Sequence, residues 1–309
     1  MSLMALKHFS SKSGFRRAGI AAMVCVLLLP VVCCSAEQKP SKPLKVVASI
    51  RPLALLAQDL LGDLAEVQVI VPPNADPHNL SLKISDRVKL DGADIVFWLG
   101  PEFERFLNKA IKQRNQSIDL AIVAELEDSV GQSDEHHEHV HDGSDTHVWM
   151  DPGYALLAVK ALSERVERLR PELKLELSTR LAALNKQIQA DEQSVSERLH
   201  LSRSVKYVVM HDAYSHFSEA FGLSSAIVVN KMPEQRLSAK QLYKLQQGVE
   251  GARCLLVEGR TDRAFRLAKV LNLDTVDADP LASNENIKSY SDFLLGLGGA
   301  FERCLNGRK

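Results

Sequence analysis

The 309-residue chain carries 38 lysines and arginines against 39 aspartates and glutamates, and 45% of its residues are hydrophobic. This composition is that of a globular protein with enough apolar residues for one large core or two smaller ones. The balanced charge lacks the basic excess of a nucleic-acid-binding protein, so we expect no nucleic acid partner.

The first 36 residues have the pattern of a secretory signal peptide. Basic residues up to Arg17 precede an uncharged run at 18–32, and the small residues Ser35 and Ala36 follow it. The run is shorter than the roughly 20 residues that span a bilayer, so it indicates a cleaved signal rather than a membrane anchor. We expect the mature chain to begin near Glu37 and to reside in the periplasm.

A lipid anchor is the alternative for this segment. Cys33 or Cys34 would then carry the lipid, but Val32 and Cys33 precede them where a small glycine or alanine is expected. Cleavage at Glu37 would also remove three of the five cysteines, leaving Cys254 and Cys304. Two cysteines in an oxidising compartment predict a disulfide.

The mature chain predicts two α/β lobes, because β-type apolar runs alternate with helical periodicity. The N-terminal lobe is expected at 44–170, with strands at 45–49, 67–71, 95–99 and 118–123 and helices at 52–61, 86–91 and 102–113. The C-terminal lobe is expected at 202–309, with strands at 205–210, 226–229, 254–257 and 274–278 and helices at 213–221, 238–251 and 291–295. Such alternation favours mainly parallel sheets.

One long amphipathic helix separates the two lobes. Leu173, Leu177, Leu181, Leu184 and Ile188 fall on one stripe, with spacings of three and four residues. We expect a linker helix at 171–201 that runs along both lobes as a stiff connection and limits hinge motion.

Three histidines lie apart from other histidines and at places where ligands bind. His78 and His211 follow predicted strands of different lobes, and ligands of open α/β sheets bind beyond the carboxyl ends of strands. His147 begins the segment that leads out of a polar loop, and Asp279 follows the predicted strand at 274–278. Three imidazoles with one carboxylate or a water suit Zn²⁺, whereas Mn²⁺ favours more oxygen ligands.

A second group of histidines lies in an acidic loop at 125–145. His136, His137, His139 and His141 stand among aspartates and glutamates, and the segment from His137 to His141 satisfies the zinc-protease pattern H-E-x-x-H. The pattern needs a helix, which these flanking residues do not favour, so we reject a protease. The loop either collects metal loosely or is an inert insertion.

Two other patterns carry no chemistry. Gly296, Gly298 and Gly299 resemble a fragment of a dinucleotide fingerprint, but they follow the predicted helix at 291–295 and precede no helix start. No nucleophile with a base can be argued either, so we expect neither an enzyme nor a small organic substrate.

Taken in order, these segments resemble a known family, the metal-binding proteins of ABC importers for zinc and manganese, in particular the zinc (ZnuA) type. The segments that carry the resemblance are 97–102, 147–152, 211–214 and 279–281, and the match runs from about Lys45 to Leu305. The resemblance implies two α/β lobes joined by a long helix, with Zn²⁺ in the interlobe cleft on His78, His147 and His211.

The resemblance also implies a partner and further residue roles. The partner is an ABC zinc permease in the inner membrane, to which a monomeric binding protein delivers the metal. Asp279 matches a position that ligates metal in some relatives, and Cys254 and Cys304 resemble the positions of a disulfide in some zinc-type members. A histidine at 211 is typical of the zinc type, since manganese-type relatives carry glutamate there.

Two departures from the family pattern concern the walls of the site. Leu80 replaces the usual aromatic residue after the first histidine, which predicts looser packing beside His78. Ala282 replaces a common glycine, which would shift the loop that carries Asp279 if the backbone there has positive φ.

Several functions stay open on these residues. A manganese receptor of the same fold is one alternative, and metal competition distinguishes it. A zinc-buffering protein or adhesin without transport is another. A zinc hydrolase would need an open coordination position with a general base nearby, and it would turn over ester or peptide substrates.

Overall fold

The computed structural model describes residues 42–73, 75–111, 117–119, 146–230, 237–259 and 261–307. The predicted signal peptide at 1–36 and the predicted acidic loop at 125–145, with its four histidines, lie outside these residues. Among the described helices, none combines the length and hydropathy needed to span a membrane.

Two parallel four-stranded sheets form the framework, as the alternation of elements predicted. The first sheet has the order β2-β1-β3-β4, and its strands are β1 Leu44–Ala48, β2 Ala65–Val69, β3 Ile95–Trp98 and β4 Ser117–Asp119. The second has the order β6-β5-β7-β8, and its strands are β5 Val208–His211, β6 Ile227–Asn230, β7 Cys254–Val257 and β8 Asp274–Asp277. In the first sheet Val46 lies opposite both Val67 and Ile95, which places three apolar side chains side by side.

Helices cover both sheets. In chain order they are α1 Arg51–Leu61, α2 Ile84–Asp91, α3 Asn108–Ile111, α4 Pro152–Leu169, α5 Lys174–Leu199, α6 Ser215–Ala220, α7 Ala239–Gly248, α8 Asp262–Leu271 and α9 Tyr290–Asn306. Helix α1 has a proline in its first turn and is followed by Gly62, which has φ of 52°. Glycine adopts this conformation without steric cost because it has no Cβ atom.

The predicted linker helix is α5, which is preceded by a 3₁₀ turn at Pro171–Leu173 and followed by another at His200–Ser202. Leu177, Leu184 and Ile188 are buried on it, in agreement with the predicted apolar stripe. Helix α5 packs against α1, α4 and α9, so it contacts elements from both ends of the chain.

The structure corrects the expected end of the last helix. Helix α9 does not stop at residue 295 but continues to Asn306 through Gly296, Gly298 and Gly299. A capping box at Ser289 and Asp292 starts it, and buried apolar residues including Phe301 hold its second half. Cys304 near its end is disulfide-bonded to Cys254 at the start of β7, with Cα atoms 5.4 Å apart.

Candidate metal centre

The three histidines singled out in the sequence come together in space. One ligand atom from each of His78, His147 and His211 lies within 4.8 Å of the others. Their ring centroids are 5.3, 6.1 and 5.4 Å apart for the pairs 78–147, 78–211 and 147–211. These residues are separated by more than sixty positions in the chain, so only the tertiary fold assembles the cluster.

Each histidine is held by short local structure. His78 lies in a 3₁₀ turn at Pro77–Asn79, where its backbone N–H donates to the Asp76 carboxylate at 2.9 Å. His147 precedes the 3₁₀ turn Val148–Met150 that leads into α4. His211 is the last residue of β5, where its ring reaches the carboxyl edge of the second sheet.

The cluster is partly shielded from water and packed by aromatic rings. His147 and His211 are 7% and 6% exposed, and His78 is half-buried. The ring of Phe103 lies 4.9 Å from that of His78 and 5.4 Å from that of His147, and Trp149 lies 5.1 Å from His147. Rigid aromatic neighbours limit the rotation of the imidazoles.

Phe103 is relevant to the looser packing beside His78 that was predicted because Leu80 replaces an aromatic residue. Leu80 is only partly buried and packs against the main core, while Phe103, which follows the turn after β3, contacts the His78 ring. An aromatic ring from a different segment therefore packs beside His78. Sequence reasoning missed Phe103, because nothing local links residue 103 to residue 78.

Burial and neighbouring charge keep His78 in the neutral form that can bind a metal. Desolvation lowers the pKa of His78, and the nearby His147 lowers it further, against a smaller opposing effect of Asp76. A neutral imidazole offers a nitrogen lone pair, so a lowered pKa favours ligation.

Asp279 lies in the wall of the same cavity but is not one of the three clustered ligands. The cavity has a volume of about 620 Å³ and is lined by both lobes. The two carboxylate oxygens of Asp279 accept the backbone N–H groups of Leu281 and Asn284, each at 3.1 Å. These bonds order the loop after β8, and a role of Asp279 as fourth ligand stays a prediction.

The loop that carries Asp279 has the backbone geometry anticipated at Ala282. Ala282 has φ of 51° and is fully buried. The left-handed region costs an alanine roughly 1 kcal/mol or more relative to glycine. The indole N–H of Trp149 donates to the carbonyl of Pro280 at 2.7 Å, which fixes this loop despite that cost.

Glu258 is the other residue of the site that the sequence interpretation missed. It directly follows β7, and its Oε1 lies 2.6 Å from Nδ1 of His211. The rule that pointed to His211, a polar residue at the carboxyl end of a predicted strand, applies equally to Glu258. That signal was present and was not used.

Three imidazole nitrogens converging in a half-shielded cleft suit Zn²⁺. Manganese would favour a site richer in oxygen. The geometry is therefore that of a site for a single borderline-soft cation, with space in the cavity for a further ligand.

Comparison with known proteins agrees with this geometry. The family model of ZnuA, described as zinc-uptake complex component A, periplasmic, matches residues 46–297. The high-affinity zinc uptake system protein ZnuA of Yersinia pestis is 31% identical over 288 residues, covering 84% of this chain and 91% of the relative. The protein of the same name from Haemophilus ducreyi is 29% identical and covers 84% and 93%.

A solved structure shows the same fold. A crystal structure of ZnuA superposes with a TM-score of 0.71 at 22% sequence identity, covering 86% of this chain and 99% of the other. The match of the family model over most of the sequence, together with the ordered histidine segments, shows that this chain belongs to the ZnuA family of zinc-uptake components.

Proposed function

We propose that this chain is a periplasmic zinc-binding protein that captures Zn²⁺ on His78, His147 and His211 and delivers it to an ABC permease in the inner membrane. The observation that carries the proposal is the convergence of three ligand atoms within 4.8 Å at the cleft between the sheets. Relatives named as high-affinity zinc uptake proteins support the same role.

The mechanism requires binding and release but no covalent chemistry. Neutral imidazoles from both lobes bind the ion, and Asp279 in the wall of the cavity places a carboxylate nearby as a candidate fourth ligand. A protein with the metal bound presents both lobes in one arrangement, which a permease can distinguish from the metal-free protein. The protein is proposed to act as a monomer, and its predicted signal peptide directs it to the periplasm.

The test is the zinc affinity of a protein that lacks residues 1–36 and also 134–143, compared with the same protein carrying His78→Ala. Structural zinc sites gain about 10–16 kcal/mol, so loss of one of about four ligands should cost about 3 kcal/mol, or roughly 100-fold in affinity. One tight zinc in the parent and roughly 100-fold weaker binding in the variant are expected. No tight zinc in the parent would move the function to the acidic loop and contradict the proposal.

Two further measurements separate the alternatives. Competition of Mn²⁺ against Zn²⁺ tests a manganese receptor, and the three nitrogen ligands predict that zinc wins. Deletion of the gene tests transport, because an importer subunit predicts poor growth in low zinc that excess zinc restores. Normal growth in low zinc would favour a zinc-buffering protein or an adhesin.

A further inference from the structure

The carboxylate of Glu258 occupies a defined position beside one of the three histidines. Strands β5 and β7 are neighbours in the second sheet, so the residues at their carboxyl ends lie side by side. Oε1 of Glu258 and Nδ1 of His211 are 2.6 Å apart, and the side chains are 28% and 7% exposed. The contact is therefore enclosed by protein rather than exposed at the surface.

One carboxylate oxygen of Glu258 faces His211 and makes no other hydrogen bond in the described structure. Oε1 is buried and, apart from the contact with His211, finds no hydrogen-bond partner among the described residues. The three other carboxylates of the cavity each accept from backbone N–H groups. Asp76 accepts from His78, Asp277 from Gly259 at 3.0 Å, and Asp279 from Leu281 and Asn284. A buried acceptor without a hydrogen bond costs free energy, so Oε1 of Glu258 should accept a hydrogen bond from the imidazole of His211 beside it.

An imidazole ligand needs such a partner. A neutral histidine carries its proton on either Nδ1 or Nε2, and only the unprotonated nitrogen can bind the metal. A carboxylate that accepts from Nδ1–H selects one tautomer, fixes the ring orientation and raises the basicity of the other nitrogen. With Nδ1 facing Glu258, the nitrogen left for the metal is Nε2.

We infer that Glu258 is a positioning residue, which accepts a hydrogen bond from Nδ1–H of His211 and thereby presents Nε2 of His211 to the zinc ion. The inference rests on the proposed zinc site but adds a residue outside the three-histidine set. It assigns to Glu258 a role that acts through His211 and not by direct contact with the ion.

The hydrogen bond and the negative charge can be separated by substitution. Glu258→Gln keeps an oxygen acceptor of the same reach while removing the charge, and Glu258→Ala removes both. Asp277→Asn is the matched control for charge, because it neutralises another carboxylate of the same cavity while keeping an acceptor for Gly259. Loss of a carboxylate partner of a metal-bound histidine costs about 10–100-fold in affinity.

The experiment is competitive zinc titration of these three variants and of the parent, all lacking residues 1–36 and 134–143. We expect Glu258→Ala to bind zinc about 10–100-fold more weakly, and Glu258→Gln and Asp277→Asn to stay within a few-fold of the parent. A double-mutant cycle adds the decisive readout, because Glu258→Ala should cost nothing further when His211 is already alanine.

Each contrary result has a distinct meaning. The inference is overturned if Glu258→Ala binds zinc as tightly as the parent, or if Asp277→Asn loses as much zinc affinity as Glu258→Ala. It is also overturned if Glu258→Ala causes its full loss of affinity in a protein that already carries His211→Ala. Equal losses in Glu258→Gln and Glu258→Ala also overturn it, since the charge itself would then act on the ion. A parent that binds no tight zinc refutes the proposed function instead, so the two failures can be told apart.

Discussion

Helix α9 packs closely against α5 at Gly298, so substitution of this glycine tests the packing between the two helices. A Cβ at position 298 would lie 2.7 Å from Cγ2 and 2.9 Å from Cγ1 of Val195. Overpacking of this kind costs about 1–3 kcal/mol, whereas glycine to alanine in a helix interior gains about 0.8–1 kcal/mol. Gly298→Ala should therefore be destabilised by about 0–2 kcal/mol.

Gly296, one half-turn earlier on the same helix, is the matched control. It is exposed, and a Cβ there meets nothing within 4 Å. Gly296→Ala should gain about 0.8–1 kcal/mol from helix propensity alone. The two alanine variants share the same propensity term, so the difference between their unfolding free energies isolates the clash with Val195 at about 1–3 kcal/mol.

The assay is urea unfolding of the chain lacking residues 1–36, with a chelator present so that zinc binding does not add to stability. Adding Val195→Ala to Gly298→Ala removes both clashing methyl groups, so the double mutant should be more stable than the sum of the single effects predicts. Equal stability of Gly296→Ala and Gly298→Ala would refute the steric reasoning.

Two pH-dependent predictions follow from buried titratable groups. Burial raises the pKa of Asp59 to about 6, outweighing the hydrogen bond from the backbone N–H of Tyr290, so the folded state binds more protons than the unfolded state between about pH 4 and 6. The contribution of Asp59 to the unfolding free energy should therefore fall as pH rises through this window. Asp59→Asn, which keeps an acceptor for Tyr290, should remove this contribution and gain about 1–2 kcal/mol at pH 7 after allowance for partial exposure. Chemical unfolding from pH 4 to 7 measures both, and a variant no more stable than the parent at pH 7 would contradict the burial effect. The pKa of His78 is lowered by burial and by His147, so protons should compete with zinc for His78 only at a lower pH than for an ordinary histidine, and zinc affinity should weaken as pH falls further. Zinc titrations from pH 8 to 5 check this, and a His78→Ala protein with the same pH dependence as the parent would show that His78 does not contribute.

The fold class was predictable because the central strands β1, β3, β5 and β7 are buried along most of their length. Apolar runs such as those around Val46 and Ile95 have no other place in a globular protein, and both are fully buried in the first sheet. Some observed strand ends differ from the predicted ones by a few residues. Strand β2, for example, begins at Ala65 and not at residue 67. Such boundaries depend on pairing partners that a single sequence does not reveal.

The missed extension of α9 has a tertiary cause. Three glycines within four positions lower helix propensity, so the sequence predicted an end near residue 295. In the structure, Gly298 is buried against Val195, and a side chain there would crowd the methyl groups of Val195. At Gly298, close packing between the two helices therefore accounts for the glycine and outweighs the local preference.

The candidate site was predictable in part for similar reasons. The histidines stood out by residue type and by their positions near strand ends, whereas Glu258 looked like one of many acidic residues. Its role depends on the adjacency of β5 and β7, which are separated by more than forty residues in the chain. Pairings between distant strands are the information that periodicity alone lacks.

The lobes are joined by more than the linker helix. Two hydrogen bonds join the first lobe to the start of α9 and the residues before it. Arg51 donates to the carbonyl of Ile287 at 2.6 Å, and Asp59 accepts from the backbone N–H of Tyr290 at 2.8 Å.

The metal site lies at the end of this set of contacts. The Tyr290 hydroxyl donates to the carbonyl of Trp149 at 3.0 Å, and Trp149 in turn binds Pro280. His147 is two residues from Trp149, so the same hydrogen bonds that join the lobes also restrain one histidine of the cluster. A site whose ligands are held in this way loses little conformational entropy when it binds an ion, and preorganisation of this kind raises affinity without added contacts. The hydrogen bonds between the lobes therefore serve two purposes, since they join the two halves of the chain and hold the segment that carries His147.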